Sequence, residues 1–192
     1  MPTEWSALAR EISGCRACAE LAATRQRVVV GDAAPSVPAR LVFVGEAPGA
    51  QEDVAGRPFV GKAGLLLDQL LGDAGLSRAE VGVLNVLKCR PPDNRRPLPA
   101  EVANCRRYLE RQLELLQPRL IVALGLTAVA WFLGKRTTLA AARGAVHGVG
   151  SYRVIATYHP SAAIRFGPSG APMAALRDDL AFAARTLAGT AA

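Results

Sequence analysis

Apolar positions along this chain follow two alternating rhythms. Arg40–Val44, Val81–Leu87, Leu120–Leu124 and Arg153–Thr157 are short, nearly unbroken apolar runs, the pattern of strands buried on both faces. Between them the apolar residues spread to helical spacing. Leu66, Leu67, Leu70, Leu71 and Ala74 repeat at i, i+3, i+4, i+7 after Ala63, and Gly75 supplies a stop. Pro99 opens a second helix with Val102, Cys105, Leu109, Leu113 and Leu116 on one face. Gly125-Leu126-Thr127 starts a short helix through Leu133, residues 3–12 form another, and a last one spans Pro172–Leu187 before a Gly-Thr-Ala-Ala tail expected to fray. Gly144 to Gly150 reads as a Gly-rich turn. Strands alternating with helices predict an α/β fold, a three-layer α/β/α sandwich around a central four-stranded parallel sheet. With no repeat, linker or low-complexity segment, residues 1–192 are expected to form a single domain.

The ends of those strands carry the chemistry. Val44-Gly45-Glu46-Ala47-Pro48-Gly49 leaves the first strand, and Tyr158-His159-Pro160-Ser161-Ala162 leaves the fourth. Each turns abruptly on Gly or Pro with an ionisable side chain at the corner. In an open parallel sheet, ligands bind at the carboxyl ends of the strands. Glu46, Asn85 and His159 all fall at such ends, so their side chains are expected to converge.

Charge and cysteines sharpen the picture. The formal net charge is +7, carried mainly by Arg, which favours polyanionic partners such as nucleic acid. No uncharged apolar run approaches the roughly 18 residues that cross a bilayer, and Met-Pro-Thr-Glu-Trp lacks a secretion-signal layout. The expectation is a cytoplasmic protein with no membrane association. Cysteines are rarely paired in that compartment. Cys15 and Cys18 form a C-x2-C pair, and Cys15, Cys18 and Cys89 sit beside Arg or Lys in loop-like sequence. Cys105 points inward from its helix, where it can complete a site begun by Cys89. The four suit one shared metal site, and thiolate-only ligation fits either zinc or a [4Fe–4S] cluster.

Taken in order, these segments resemble the uracil-DNA glycosylase superfamily, and specifically its family 4 iron–sulfur enzymes. The likeness runs through Cys15/Cys18 with Thr24-Arg25, Gly45-Glu46-Ala47-Pro48-Gly49, Glu52-Asp53 and Gly56-Arg57-Pro58-Phe59-Val60-Gly61. It continues through Asn85-Val86-Leu87-Lys88-Cys89-Arg90-Pro91-Pro92, Cys105 and His159-Pro160-Ser161. The resemblance implies hydrolysis of the bond between uracil and deoxyribose in DNA, single- or double-stranded, with a structural [4Fe–4S] cluster on Cys15, Cys18, Cys89 and Cys105. It implies a monomer, with a sliding clamp or other repair proteins as candidate partners.

The residues meet the needs of that reaction. A base taken out of the stack wants an aromatic face and polar groups for its edge. Phe59 is the platform, Gly45 and Ala47 line the pocket, and the Asn85 amide can pair with O4 and N3 of uracil, where cytosine presents the reverse pattern. His159 can donate to O2 as negative charge develops there. A carboxylate must orient water and offset positive charge on the sugar. Glu46 ranks first for that role and Glu52 second, while either can instead tie down the loop through backbone N–H groups. Lys62, Ser161 and Arg165 are placed to reach phosphates, and Ile164 to fill the gap left by the flipped base. Arg90, Arg95 and Arg96 lie on the Pro-rich loop beside Cys89, where the cluster can brace a DNA-contacting loop. His147, in the Gly-rich turn, reads as surface.

Four rival readings are weaker. Covalent uracil-trapping relatives carry a reactive His in the region that here reads Arg90 to Arg96, which has none, and family 5 relatives lack a carboxylate where this chain has Glu46. A non-catalytic DNA-binding module or a zinc-stabilised binding protein would explain charge and cysteines, but not Phe59, Asn85 and His159 together.

Overall fold

The strands that the apolar runs predict lie side by side at the centre of the molecule. In the computed structural model, which describes residues 2–189, they are β1 (Val42–Gly45), β2 (Gly82–Asn85), β3 (Ile121–Leu124) and β5 (Tyr152–Thr157). A further strand, β4 (Val146–Val149), completes a sheet of order β2-β1-β3-β5-β4. The pairs β1–β2, β1–β3 and β3–β5 are parallel, and β4 runs antiparallel to β5. Thr190, Ala191 and Ala192, in the tail expected to fray, lie outside the described residues.

Helices cover both faces, as strands buried on both sides require. They are α1 (Pro2–Ser13), α2 (Ala19–Thr24), α3 (Ala50–Ala55), α4 (Lys62–Asp73), α5 (Pro99–Leu116), α6 (Gly125–Leu133), α7 (Leu139–Ala142), α8 (Pro160–Phe166) and α9 (Ala171–Ala188). Strand side chains alternate between two cores. Phe43, Val122, Leu124 and Ile155 pack with Leu67, Leu70 and Leu71 of α4 and Leu176 and Leu180 of α9. Val42, Val44, Ile121, Ala123, Val154 and Ala156 pack with Leu109, Leu113 and Leu116 of α5 and Val129 and Phe132 of α6. A third cluster joins Leu8 and Ile12 of α1 to Leu21, Leu87, Tyr108, Cys89 and Cys105.

The three-layer architecture matches the prediction, and the sheet differs from it in one strand. Residues 146–149, read as a turn, form the antiparallel edge β4. Their side chains alternate between exposed and half-buried, so this strand is held by its ladder to β5 and carries no apolar run. His147, read as surface, is half-buried on β4, with Nε2 2.7 Å from the Ala142 carbonyl. The short helices α2, α3, α7 and α8 also went unforeseen, because pieces of four to seven residues are too brief to show a period.

At the edge of the second layer Arg143, just past α7, reaches α9. Its Nε donates to Asp179 Oδ2 at 2.7 Å and its Nη2 to the Ala175 carbonyl at 3.2 Å, and the guanidinium lies over the Tyr158 ring. Asp179 is almost fully buried. Arg143→Ala is therefore expected to destabilise the fold by about 3 kcal/mol, because a buried carboxylate loses its partner. Urea denaturation should show most of that loss restored in the Arg143→Ala/Asp179→Ala double variant.

Candidate functional site

The carboxyl ends of β1, β2 and β5 open into one cleft of about 350 Å³. The chain leaves β1 for β2 on one side and returns to β3 on the other, so the β1/β3 boundary is the topological switch point, where crevices form in open α/β sheets. Glu46, Ala47, Glu52, Phe59, Asn85, His159, Ser161 and Arg165 line the cleft, with Pro48, Gly49, Ala63, Pro91, Asn94 and Arg95.

The floor depends on a missing side chain. Gly45 pairs in register with Asn85. A Cβ at Gly45 would stand 2.5 Å from Asn85 Oδ1 and 2.7 Å from Phe59 Cζ, closer than such atoms approach. Only glycine lets the amide and the ring meet there. Phe59 is buried in the left-handed region (φ 53°), and a Cβ on Gly64 would collide with its carbonyl group. The first turn of α4 thus presses directly on the Phe59 backbone.

Glu52 fixes the loop around this ring. Its Oε1 accepts from Val60 N at 2.9 Å and Gly61 N at 2.8 Å, and its Oε2 from Gly49 N at 3.1 Å. Glu46 has a different environment. Its Oε2 accepts from the Thr127 hydroxyl, across the switch point from the first turn of α6. Thr127 is buried.

Asn85 is buried and its Oδ1 has no hydrogen-bond partner among the described residues. A buried acceptor left open costs on the order of 1–3 kcal/mol, which a ligand N–H would recover. His159 caps α8. Its Nδ1 accepts from Ser161 N at 3.2 Å and lies 2.8 Å from Ser161 Oγ. An accepting Nδ1 assigns the ring proton to Nε2, which becomes the donor. Burial pushes the imidazole down to about 4, against an opposing pull from Glu52, so the ring is neutral at physiological pH. Its centroid lies 5.4 Å from that of Phe59.

Beside the cleft the four cysteines, all free thiols, line a separate small cavity with Ile12, Leu21, Leu87 and Tyr108. Arg25 Nη1 donates to Cys89 Sγ at 2.9 Å, and Asn104 Nδ2 lies 3.6 Å from Cys18 Sγ. Among the described residues no three His, Cys, Asp or Glu side chains are drawn together tightly enough to hold one metal ion. Burial pushes the Cys105 thiol up to about 11 and the neighbouring Lys88 ammonium down to about 8.

Three links join this corner to the cleft. Lys88 Nζ donates to the Asn85 carbonyl at 2.7 Å. Asp53 takes the Gln26 and Arg27 amides, next to Arg25. Arg95 bonds Glu101 at 2.6 Å and Glu20 at 2.7 Å, tying the Pro-rich loop to α5 and α2 and holding the Glu101 carboxyl below its usual range.

A profile described as the uracil DNA glycosylase superfamily matches residues 32–181. The chain belongs to the uracil DNA glycosylase superfamily. It is 45% identical to a type-4 uracil-DNA glycosylase of Thermotoga maritima, over 82% of each chain. A type-4 uracil-DNA glycosylase of Archaeoglobus fulgidus is also 45% identical, over 82% of this chain and 81% of its own. One from Sulfurisphaera tokodaii is 40% identical over 80% and 73%.

The structure therefore gathers most of the predicted superfamily site residues and leaves some apart. Lys62 and Ile164 are exposed outside the cleft lining, on the first turn of α4 and on α8. Gly45 lies beneath the floor. Thr127 was missed as a site residue, although Gly125-Leu126-Thr127 follows a strand end just as Glu46 and His159 do. Lys88 and Arg95 were missed as links because a surface-type cation gives no sign in sequence of which group it will bond, whether near, as Asn85 and Glu101 are, or distant, as Glu20 is.

Two outcomes follow from this geometry. As pH falls, the unfolded chain binds the His159 proton first, near 6.5, whereas the folded ring resists until about 4. The stability carried by neutral His159 is full above about 6.5 and lost as pH falls through that window. Acid unfolding of His159→Gln should lose less stability between those two values than the native protein. Thr127→Val should lower turnover about ten- to hundredfold through loss of a hydrogen bond to a carboxylate, with KM little changed and Thr127→Ser largely restored.

Proposed function

We propose that the protein removes uracil from DNA by hydrolysing the bond between the base and deoxyribose, leaving an abasic site, a reading supported by relatives named type-4 uracil-DNA glycosylases. The observation that carries the reading is the set of three groups facing one cleft: the open Asn85 Oδ1, the Phe59 ring and a neutral His159 with its proton on Nε2.

In this mechanism the target nucleotide leaves the stack and enters the cleft. Phe59 stacks on the base. Asn85 Oδ1 accepts from N3–H and its amide nitrogen donates to O4, a pairing that cytosine cannot return. As the glycosidic bond lengthens, charge collects on O2, and His159 Nε2–H donates to it. Because the ring starts neutral, it stabilises the anion by hydrogen bonding and keeps its proton. Glu46, oriented by Thr127, faces the sugar, where it offsets positive charge and orients the water that attacks C1′. Its single side-chain bond leaves carboxylate capacity for that task. Glu52 already accepts three backbone N–H groups, which supports a role in holding the loop. Ser161 and Arg165, on the rim, contact phosphate. Ile164, exposed on α8, enters the vacated stack, and Lys62 meets a phosphate farther along. The chain acts as a single-domain monomer on uracil-containing DNA.

Cys15, Cys18, Cys89 and Cys105 would hold a [4Fe–4S] cluster. The fit rests on four free thiols around one cavity with N–H donors aimed at two of the sulfurs. Their spread around the cavity suits a group with one iron per thiolate better than a single zinc ion. Bound there, the cluster supplies cross-links between α1, the Pro-rich loop and α5 and takes no part in hydrolysis.

Excision from an oligonucleotide bearing one deoxyuridine, scored by alkaline strand cleavage, tests the reading. His159→Ala and Asn85→Ala should each fall by about two to three orders of magnitude. No cleavage by the cluster-loaded protein on single- or double-stranded DNA would overturn it. Anaerobically purified protein should be brown and contain about four irons per chain. Cys105→Ser should lose iron and thermal stability together.

A further inference from the structure

A second groove, of about 410 Å³, lies between the Pro-rich loop, α5 and α6. Its wall is Pro97, Pro99, Val102, Ala130 and Trp131, and its cations are Arg96, Arg106 and Lys135, with no acidic residue in the lining. The Arg106 guanidinium lies 4.6 Å over the Trp131 ring, a flat cationic platform. Arg96 and Lys135 are exposed, with no acidic partner among the described residues. Neighbouring residues wall the groove and the catalytic cleft at two points. Pro91, Asn94 and Arg95 line the cleft, and Arg96, Pro97 and Pro99 of the same segment line the groove. Thr127, which bonds Glu46 on one side, lines the groove on the other.

We propose that this groove is a docking track for the unpaired strand flanking the target nucleotide on one side, with a nucleobase stacked on the Arg106–Trp131 platform and phosphates on Arg96 and Lys135. Its chemistry is that of single-strand binders, a flat stacking surface within a cationic channel. An acidic peptide would satisfy the cations but leave the platform unused. The inference rests on the excision reading only for the identity of the polymer.

Binding of fluorescein-labelled, uracil-free single strands, read by anisotropy, tests it on the full chain. One short oligonucleotide is compared with versions extended by about ten nucleotides on the 5′ or the 3′ side. The native protein should bind one extension about tenfold more tightly than the short strand, and the other extension little better. Arg106→Gln/Lys135→Gln should abolish that gain and reduce the salt dependence by about one counterion, for the phosphate lost at Lys135, since Arg106 stacks and is paired with Glu110. Excision from a short deoxyuridine oligonucleotide should stay at the native level. No gain from either extension, a gain only with duplex extensions, or a gain and salt slope unchanged in the double variant would each overturn the proposal. Failure of the native protein to excise uracil would overturn the catalytic reading alone, since the binding arm contains no uracil.

Discussion

One carboxylate holds the mouth of the cleft in shape. Glu52 gathers the amides of residues 49, 60 and 61, which turns the connection after β1 back on itself and places Phe59 over the end of the sheet. Charge-assisted bonds to three amides are among the stronger that a side chain makes. They offset the left-handed backbone at Phe59, a conformation that a bulky residue adopts only when its surroundings dictate it. Once Phe59 is held, Gly45 and Asn85 beneath it and His159 beside it have little freedom left.

The two acidic residues of this loop have diverged through their partners. Glu52 faces backbone donors on its own loop, and Glu46 faces a single hydroxyl on a different strand end. A group that accepts three backbone amides is suited to structure, and one with more open acceptor capacity is suited to chemistry. The same division separates the arginines of the Pro-rich loop. Arg95 is spent on Glu101 and Glu20, whereas Arg96 is turned outward to solvent. The cysteine corner reaches the cleft through Arg95, Lys88 and Asp53, so what happens among the thiols bears on the position of Asn85 and of the Pro-rich loop.

Much of the α/β architecture was legible because burial on both faces leaves unbroken apolar runs, as at Arg40–Val44 and Leu120–Leu124. β4 was not, since an edge strand with alternating exposed side chains is stabilised by hydrogen bonds that no residue pattern announces. The site was legible where chemistry sits at a strand end. Glu46 follows β1 directly, Asn85 ends β2 and His159 lies two residues past β5, and parallel pairing brings those strand ends to one edge. Thr127 sits at an equivalent corner after β3, yet a threonine opening a helix carries no chemical signal of its own.

The amino-acid sequence by itself determined the four central strands and the longer helices, the ionisable corners at the strand ends and the four cysteines, because periodicity and residue chemistry are local properties. It left open which of two glutamates is committed to the loop, where Lys62, Ser161 and Arg165 stand relative to the cleft, and that one loop walls both a cleft and a groove. Those were decided by tertiary structure. Each depends on which groups distant in the chain come within hydrogen-bonding reach, and the folded sheet alone sets that distance.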